Sequence, residues 1–361
     1  MKTWLVALTA ALILTSCLPA PFDLQISLAA ATAQKMNLDT ASPIPAGSYS
    51  SDQVEQLAFF PSVLAAGGFD YRSGIVAVTS GSNVSVRGVA GGSTFGQAGQ
   101  GVMNPDPHAP SFMAWPLKTG QSALGIAFDA VSPSASGYAL FQGNPSTQTL
   151  TPVSGPLGGL DPSAAAVIGV SIQFMPASYS YDMLHVLSVD ASGTLFREGS
   201  WQVTSTGLPV ETFPHGSGFF SLPWIAGATR VMYFYDEDVS GDASRLPNRS
   251  FACWYSGGSW QTWAWSGSPG AFASTELPID HRVDSLLTTG QLLSTEDGTG
   301  RLYDRDGGLL ATFPLGNLVY IGEQYVGGVP RCYFSQALVY EKTLHFNVYW
   351  IATDQLATLG S

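Results

Sequence analysis

The chain has 361 residues, of which 45% are hydrophobic and only 11% charged, enough apolar material for a large core and too little charge for a disordered segment. A net charge of −12 with only 14 Lys and Arg excludes nucleic acid and argues against anionic membrane surfaces as direct partners, because phosphate binding needs clustered cations. Forty Gly and 23 Pro provide many turns, while 19 Phe, 14 Tyr and 9 Trp supply core. Dense turns between short apolar runs predict an all-β sandwich, barrel or propeller.

The chain opens with Met1-Lys2, a short positive start, followed by an apolar run over 4–14. That run has signal-peptide length and is too short to span a bilayer in the usual way. It ends in Leu14-Thr15-Ser16-Cys17, which resembles the lipobox of bacterial lipoproteins. The resemblance implies that 1–16 is a signal peptide, that Cys17 carries the acyl chains as first mature residue, and that the protein is lipid-anchored in the cell envelope. Leu18 follows the cysteine in place of the aspartate that retains such proteins at the inner membrane in some bacteria, which favours the outer membrane. Residues 17–52, rich in Ala, Ser, Thr and Pro, are expected to form a tether. Residues 24–36 read as a short helix, ended by Ser42-Pro43-Ile44-Pro45. A packed N-terminal helix is the competing reading of that stretch.

From residue 53 onward the punctuation is regular. The pattern is clearest over 285–316, where strand-like runs at 291–296, 301–305 and 309–315 are separated by Asp297-Gly298-Thr299-Gly300 and Asp306-Gly307-Gly308. Asp-Gly pairs favour the tight turns of antiparallel hairpins, so two in succession make a meander. A lone meander cannot bury both its faces and needs copies of itself. Comparable units begin at Gly74, Leu124, His185, Arg230 and Arg331. Phe141, Phe196, Tyr255, Tyr303 and Tyr340 each precede a turn, at spacings looser than the ~40–50 residues of a propeller blade. The chain therefore resembles a β-propeller: one all-β domain over 53–361, of about six blades built from antiparallel meanders. A pair of β-sandwiches is the alternative. The strand over 57–63 is expected to pair with the last blade and close the ring, removing exposed edges.

Candidate chemistry is sparse. In the acidic loop after Tyr235, Asp236, Asp238, Ser240 and Asp242 place oxygen ligands at alternate positions around a Gly, resembling the start of a calcium loop. Pro247 stands where an EF-hand would have its Glu, so calcium is a candidate cofactor with an incomplete ligand set. Trp263 and Trp265 lie on one face of a strand and are candidates to stack on a sugar or a protein partner, with packing between blades as the competing reading. Five histidines are scattered, and no HExxH, GxSxG or phosphate-cradling loop is present. Glu296, Asp297, Asp304 and Asp306 read as solvated hairpin tips, and Cys253 and Cys332 as buried free thiols. The function these features predict is a membrane-anchored, non-catalytic binding or scaffolding domain with a protein or glycan ligand. A carbohydrate-active enzyme with its site at the channel mouth is the alternative.

Overall fold

The computed structural model describes strands from Gln34 onward and side chains over 167–173, 175, 179–202, 219–228, 231–236, 248–267, 272–316, 318–334 and 349–359. Strand β1 (Gln34–Leu38) comes first. A first meander follows: β2 (Gln56–Val63), β3 (Phe69–Ser80), β4 (Asn83–Ala90) and β5 (Ser93–Val102). The second is β6 (Phe112–Pro116), β7 (Ala123–Phe128), β8 (Tyr138–Asn144) and β9 (Thr149–Pro152). The third is β10 (Ala166–Gln173), β11 (Asp182–Val189), β12 (Leu195–Val203) and β13 (Val210–Ser221). The fourth is β14 (Val231–Asp236), β15 (Arg249–Ser256), β16 (Ser259–Ser266) and β17 (Ala273–Leu277). The fifth is β18 (Ser285–Leu286), β19 (Leu292–Ser294), β20 (Thr299–Tyr303) and β21 (Leu309–Pro314). The last has β22 (Val319–Val326), β23 (Val329–Tyr340) and β24 (Thr343–Ala352), with β1 as its fourth strand.

Every neighbour pair within a meander is antiparallel, and the inner strands β10 and β14 pair in parallel, which joins the third and fourth meanders into one eight-stranded sheet. Strand β2 lies against β6 on one side and against β22 and β23 on the other. The chain is thus an all-β, propeller-like fold of six four-stranded blades, with first and last blades adjacent. Closure comes from β1, whose residues from Gln34 to Leu38 pair with Val348 back to Leu344 of β24. These five residues lie inside the stretch expected as a tether. The segment over 57–63, expected to close the ring, instead belongs to β2 and pairs with β3. Its apolar, Phe-rich sequence suits an inner strand, whereas the more polar QKMNL of β1 suits an outer one.

Blade cohesion follows from the period of two along each strand. In β14, Tyr233 joins the cluster containing Phe196, Leu187 and Trp265, which fills the seam between blades three and four. Its neighbours Met232 and Phe234 point the other way, with Phe251, Leu292 and Tyr303, into the seam between blades four and five. Leu293, Leu302 and Phe313 of blade five then meet Phe334, Tyr349 and Ile351 of blade six. Each fully buried large side chain of this kind contributes about 1.5–3 kcal/mol relative to exposure. Cys253 and Cys332 are buried and free, in separate seams, as the sequence predicts. Burial pushes the Cys253 thiol up to about 11, so neither oxidation nor metal binding is favoured there.

Two glycine features explain local geometry. Gly257 and Gly258, both at positive φ (63° and 92°), make the two-residue turn between β15 and β16. At Gly169 a Cβ would lie 2.5 Å from Val231 Cγ2 and 2.6 Å from Tyr233 Cβ, so only glycine lets β10 approach β14 closely enough to pair.

Candidate functional site

The sequence-predicted residues that the structure describes gather around the fourth blade. Asp236 ends β14; it is buried, and its Oδ2 lies 2.7 Å from Arg305 Nη2 in the turn between β20 and β21. A second arginine reinforces this contact: Arg249 Nη1 donates to Asp306 Oδ1 at 2.9 Å and to the Arg305 carbonyl at 2.8 Å. The first oxygen donor of the candidate calcium loop is thus already matched to a cation on the neighbouring blade. Asp238, Ser240, Asp242 and Cys17 lie outside the described residues. Among the described residues no group of three or more His, Cys, Asp or Glu side chains gathers as a metal site.

The tryptophans are packed. Trp224, on the 3-10 turn Pro223–Ile225 that links blade three to blade four, stacks on Trp263 at 4.9 Å between ring centroids and 6° between planes. It also meets Trp254 at 6.0 Å and Trp265 at 5.1 Å. Trp265 is 1% exposed and has no face to offer a ligand, while Trp263 is half-buried beneath Trp224. Register explains why: Trp265 pairs with Ser250 and Trp263 with Ala252, small partners on the seam-facing side of β15 that leave room for indoles.

Sequence reading did not find two buried carboxylates that cross the seams, Glu198 and Glu323. Glu198 of β12 is buried, and its Oε1 accepts from the Tyr233 hydroxyl at 2.8 Å and from the Ser250 hydroxyl, both on blade four. Burial raises its pKa, opposed by the hydrogen bonds from Ser250 and Tyr233. Beside it in the same blade, His185 Nδ1 lies 2.7 Å from Ser200 Oγ and its Nε2 lies 3.1 Å from Gln173 Oε1. Since Gln173 Oε1 can only accept, Nε2 carries the hydrogen and Ser200 donates to Nδ1. Glu323 of β22 repeats the device between blades five and six. Its Oε2 accepts from the Thr288 backbone N–H and its Oε1 from the Thr288 and Thr353 hydroxyls, at 2.6–2.8 Å. Burial raises its pKa too, again against those hydrogen bonds.

Three acidic turn residues read as solvated tips are engaged. Asp304 Oδ1 accepts from the Asp306 and Gly308 backbone N–H groups and so shapes its own turn. Asp306 takes Arg249, as above. Glu296 Oε1 accepts from Trp260 Nε1 at 3.0 Å and Oε2 from the Arg282 N–H at 3.2 Å, tying blade four to blade five. Asp190 likewise folds its turn around itself, accepting from the Thr194 and Leu195 N–H groups.

No family model matches the chain. Among curated proteins, maltoporin 1 of Klebsiella pneumoniae is 33% identical over 113 residues, which is 31% of this chain and 22% of that protein's length. Among solved structures, an α-L-arabinofuranosidase from Fusarium graminearum in complex with an iminosugar inhibitor is similar over 90% of this chain and 98% of its own, with 7% identity and a TM-score of 0.41. A Penicillium chrysogenum α-L-arabinanase with bound arabinobiose aligns over 84% and 99%, at 11% identity and a TM-score of 0.35. The WD40 domain of fission yeast SCAP aligns over 83% and 67%, at 13% identity and a TM-score of 0.30. The six meanders and their closure are what make the fold propeller-like.

Proposed function

We propose that this chain is a lipid-anchored binding or scaffolding module of the bacterial cell envelope, tethered through Cys17 and presenting a non-catalytic propeller. The observation that carries the non-catalytic reading is the commitment of the buried carboxylates. Glu198 and Glu323 each receive donors from a neighbouring blade, and Asp236 is matched by Arg305. These groups act as struts between blades, and a reactive acid or base needs a face open to substrate. The lipobox at Leu14-Thr15-Ser16-Cys17 supports anchoring, and the 113-residue likeness to a maltoporin agrees with an envelope location. The absence of Asp after Cys17 favours the outer membrane.

Metabolic labelling with a fatty acid tests the anchor. Wild-type chain expressed in a bacterial host incorporates label and Cys17→Ser does not; label retained in the variant would overturn the assignment.

A further inference from the structure

The end of the disc that carries the β15–β16 turn also carries the linker over 278–284 and the β19–β20 turn, since strand direction alternates through each blade. At this end, over the seam between blades four and five, aromatic and polar side chains collect around a rigid frame. Glu296 fixes it by accepting from Trp260 Nε1 and from the Arg282 N–H. Asp284 extends it by accepting from Arg282 Nε at 2.6 Å and from the Thr295 N–H and hydroxyl at 2.6 and 2.8 Å. Trp260 packs on the cluster that holds Ile279, Val283 and Tyr303, so the linker, both turns and β20 form one body here.

Outside that frame the surface is different in kind. Tyr255 is 37% exposed and stands edge-on to Trp260, with ring centroids 5.5 Å apart. Asp280 has 85% of its side chain exposed, and its Oδ1 lies 2.6 Å from His281 Nδ1, which the Tyr303 hydroxyl also approaches at 3.3 Å. The carboxylate accepts from Nδ1–H and so fixes the orientation of the ring. We propose that this patch, built from Tyr255, Trp260, Asp280 and His281, binds a neutral saccharide. An aromatic ring offers an apolar face to the C–H face of a sugar, and a carboxylate beside an oriented imidazole offers polar partners to adjacent hydroxyls. The other carboxylates here, Glu296 and Asp284, are already matched by donors, so the patch has no surplus acceptor pair for a cationic ligand. An anionic ligand is opposed by all three acids.

The inference rests on the binding-module reading and names its ligand class. Titration calorimetry on the purified full chain, with maltohexaose, cellohexaose and chitohexaose as probes, tests it. We expect saturable binding of at least one probe, weakened about tenfold by Tyr255→Ala and several-fold by Asp280→Asn, with melting temperatures unchanged. Absence of binding to all three, or binding indifferent to both variants, overturns it. Release of shorter products from a probe would contradict the non-catalytic reading instead, so the two failures are distinguishable.

Discussion

The Tyr233 hydroxyl donates to Glu198 Oε1 at 2.8 Å across the seam between blades three and four, where neither side chain has water to fall back on. Ser250 donates to the same oxygen, so one carboxylate satisfies two hydroxyls of the next blade. Glu198→Ala strands both, and each unsatisfied buried group costs about 1–3 kcal/mol. Glu198→Gln retains an accepting oxygen. Thermal or urea unfolding is expected to show a large loss for Ala and a small change for Gln.

The pH dependence follows from the same group and its counterpart Glu323. Burial raises both pKa values above the ordinary carboxylate range. A carboxyl with a raised folded pKa adds stability that is fully present below its unfolded pKa and lost as pH rises through its folded pKa. Their contribution therefore makes the protein more stable in mild acid than at neutral or alkaline pH. The double variant Glu198→Gln, Glu323→Gln is expected to flatten that slope in a melting series; an unchanged slope would refute their role.

Gly169 sets how closely blade three approaches blade four. Overpacking at a site this tight costs about 1–3 kcal/mol or more. Gly169→Val is expected to lower the unfolding midpoint well beyond Gly193→Ala, since nothing lies within 4 Å of a Cβ at Gly193 and only its φ of 71° opposes substitution.

The candidate calcium loop gives a separate prediction. With Asp236 held by Arg305, chelation by EDTA is expected to leave the melting temperature of the full chain unchanged. A drop on chelation that added calcium reverses would show that the loop holds the ion after all. Arg305→Met, which removes the cation facing the buried Asp236 carboxylate, is expected to destabilise by about 3–5 kcal/mol.

What the sequence revealed was the part written in turns. The runs over 291–296, 301–305 and 309–315 correspond to β19, β20 and β21, because Asp-Gly and Gly-Gly punctuation marks hairpins locally. The inner strands β6, β10 and β18 escaped, since linkers rather than tight turns introduce them, whereas β2 and β14 were read as strands; β18 has only Ser285 and Leu286. The turn aromatics are loosely spaced because they occupy unlike positions: Tyr255 ends the second strand of its blade, and Tyr303 the third strand of its own. Glu198 was legible only in part. It shares a strand face with Phe196 and Ser200, an acid where the alternation demands a buried residue, but its partners lie 35 and 52 residues further along the chain. Trp263 and Trp265 were visible as a pair, yet burial depends on Trp224, which arrives from the linker between blades.

The proposed function is that of an anchored module that holds a ligand without converting it. In-cell crosslinking of the full chain, purification from the membrane fraction and mass spectrometry test it together. The expected result is a chain acylated at Cys17 and joined in reproducible stoichiometry to one protein or intact glycan. A chain recovered from the soluble fraction, without acyl groups and with nothing attached, would contradict it.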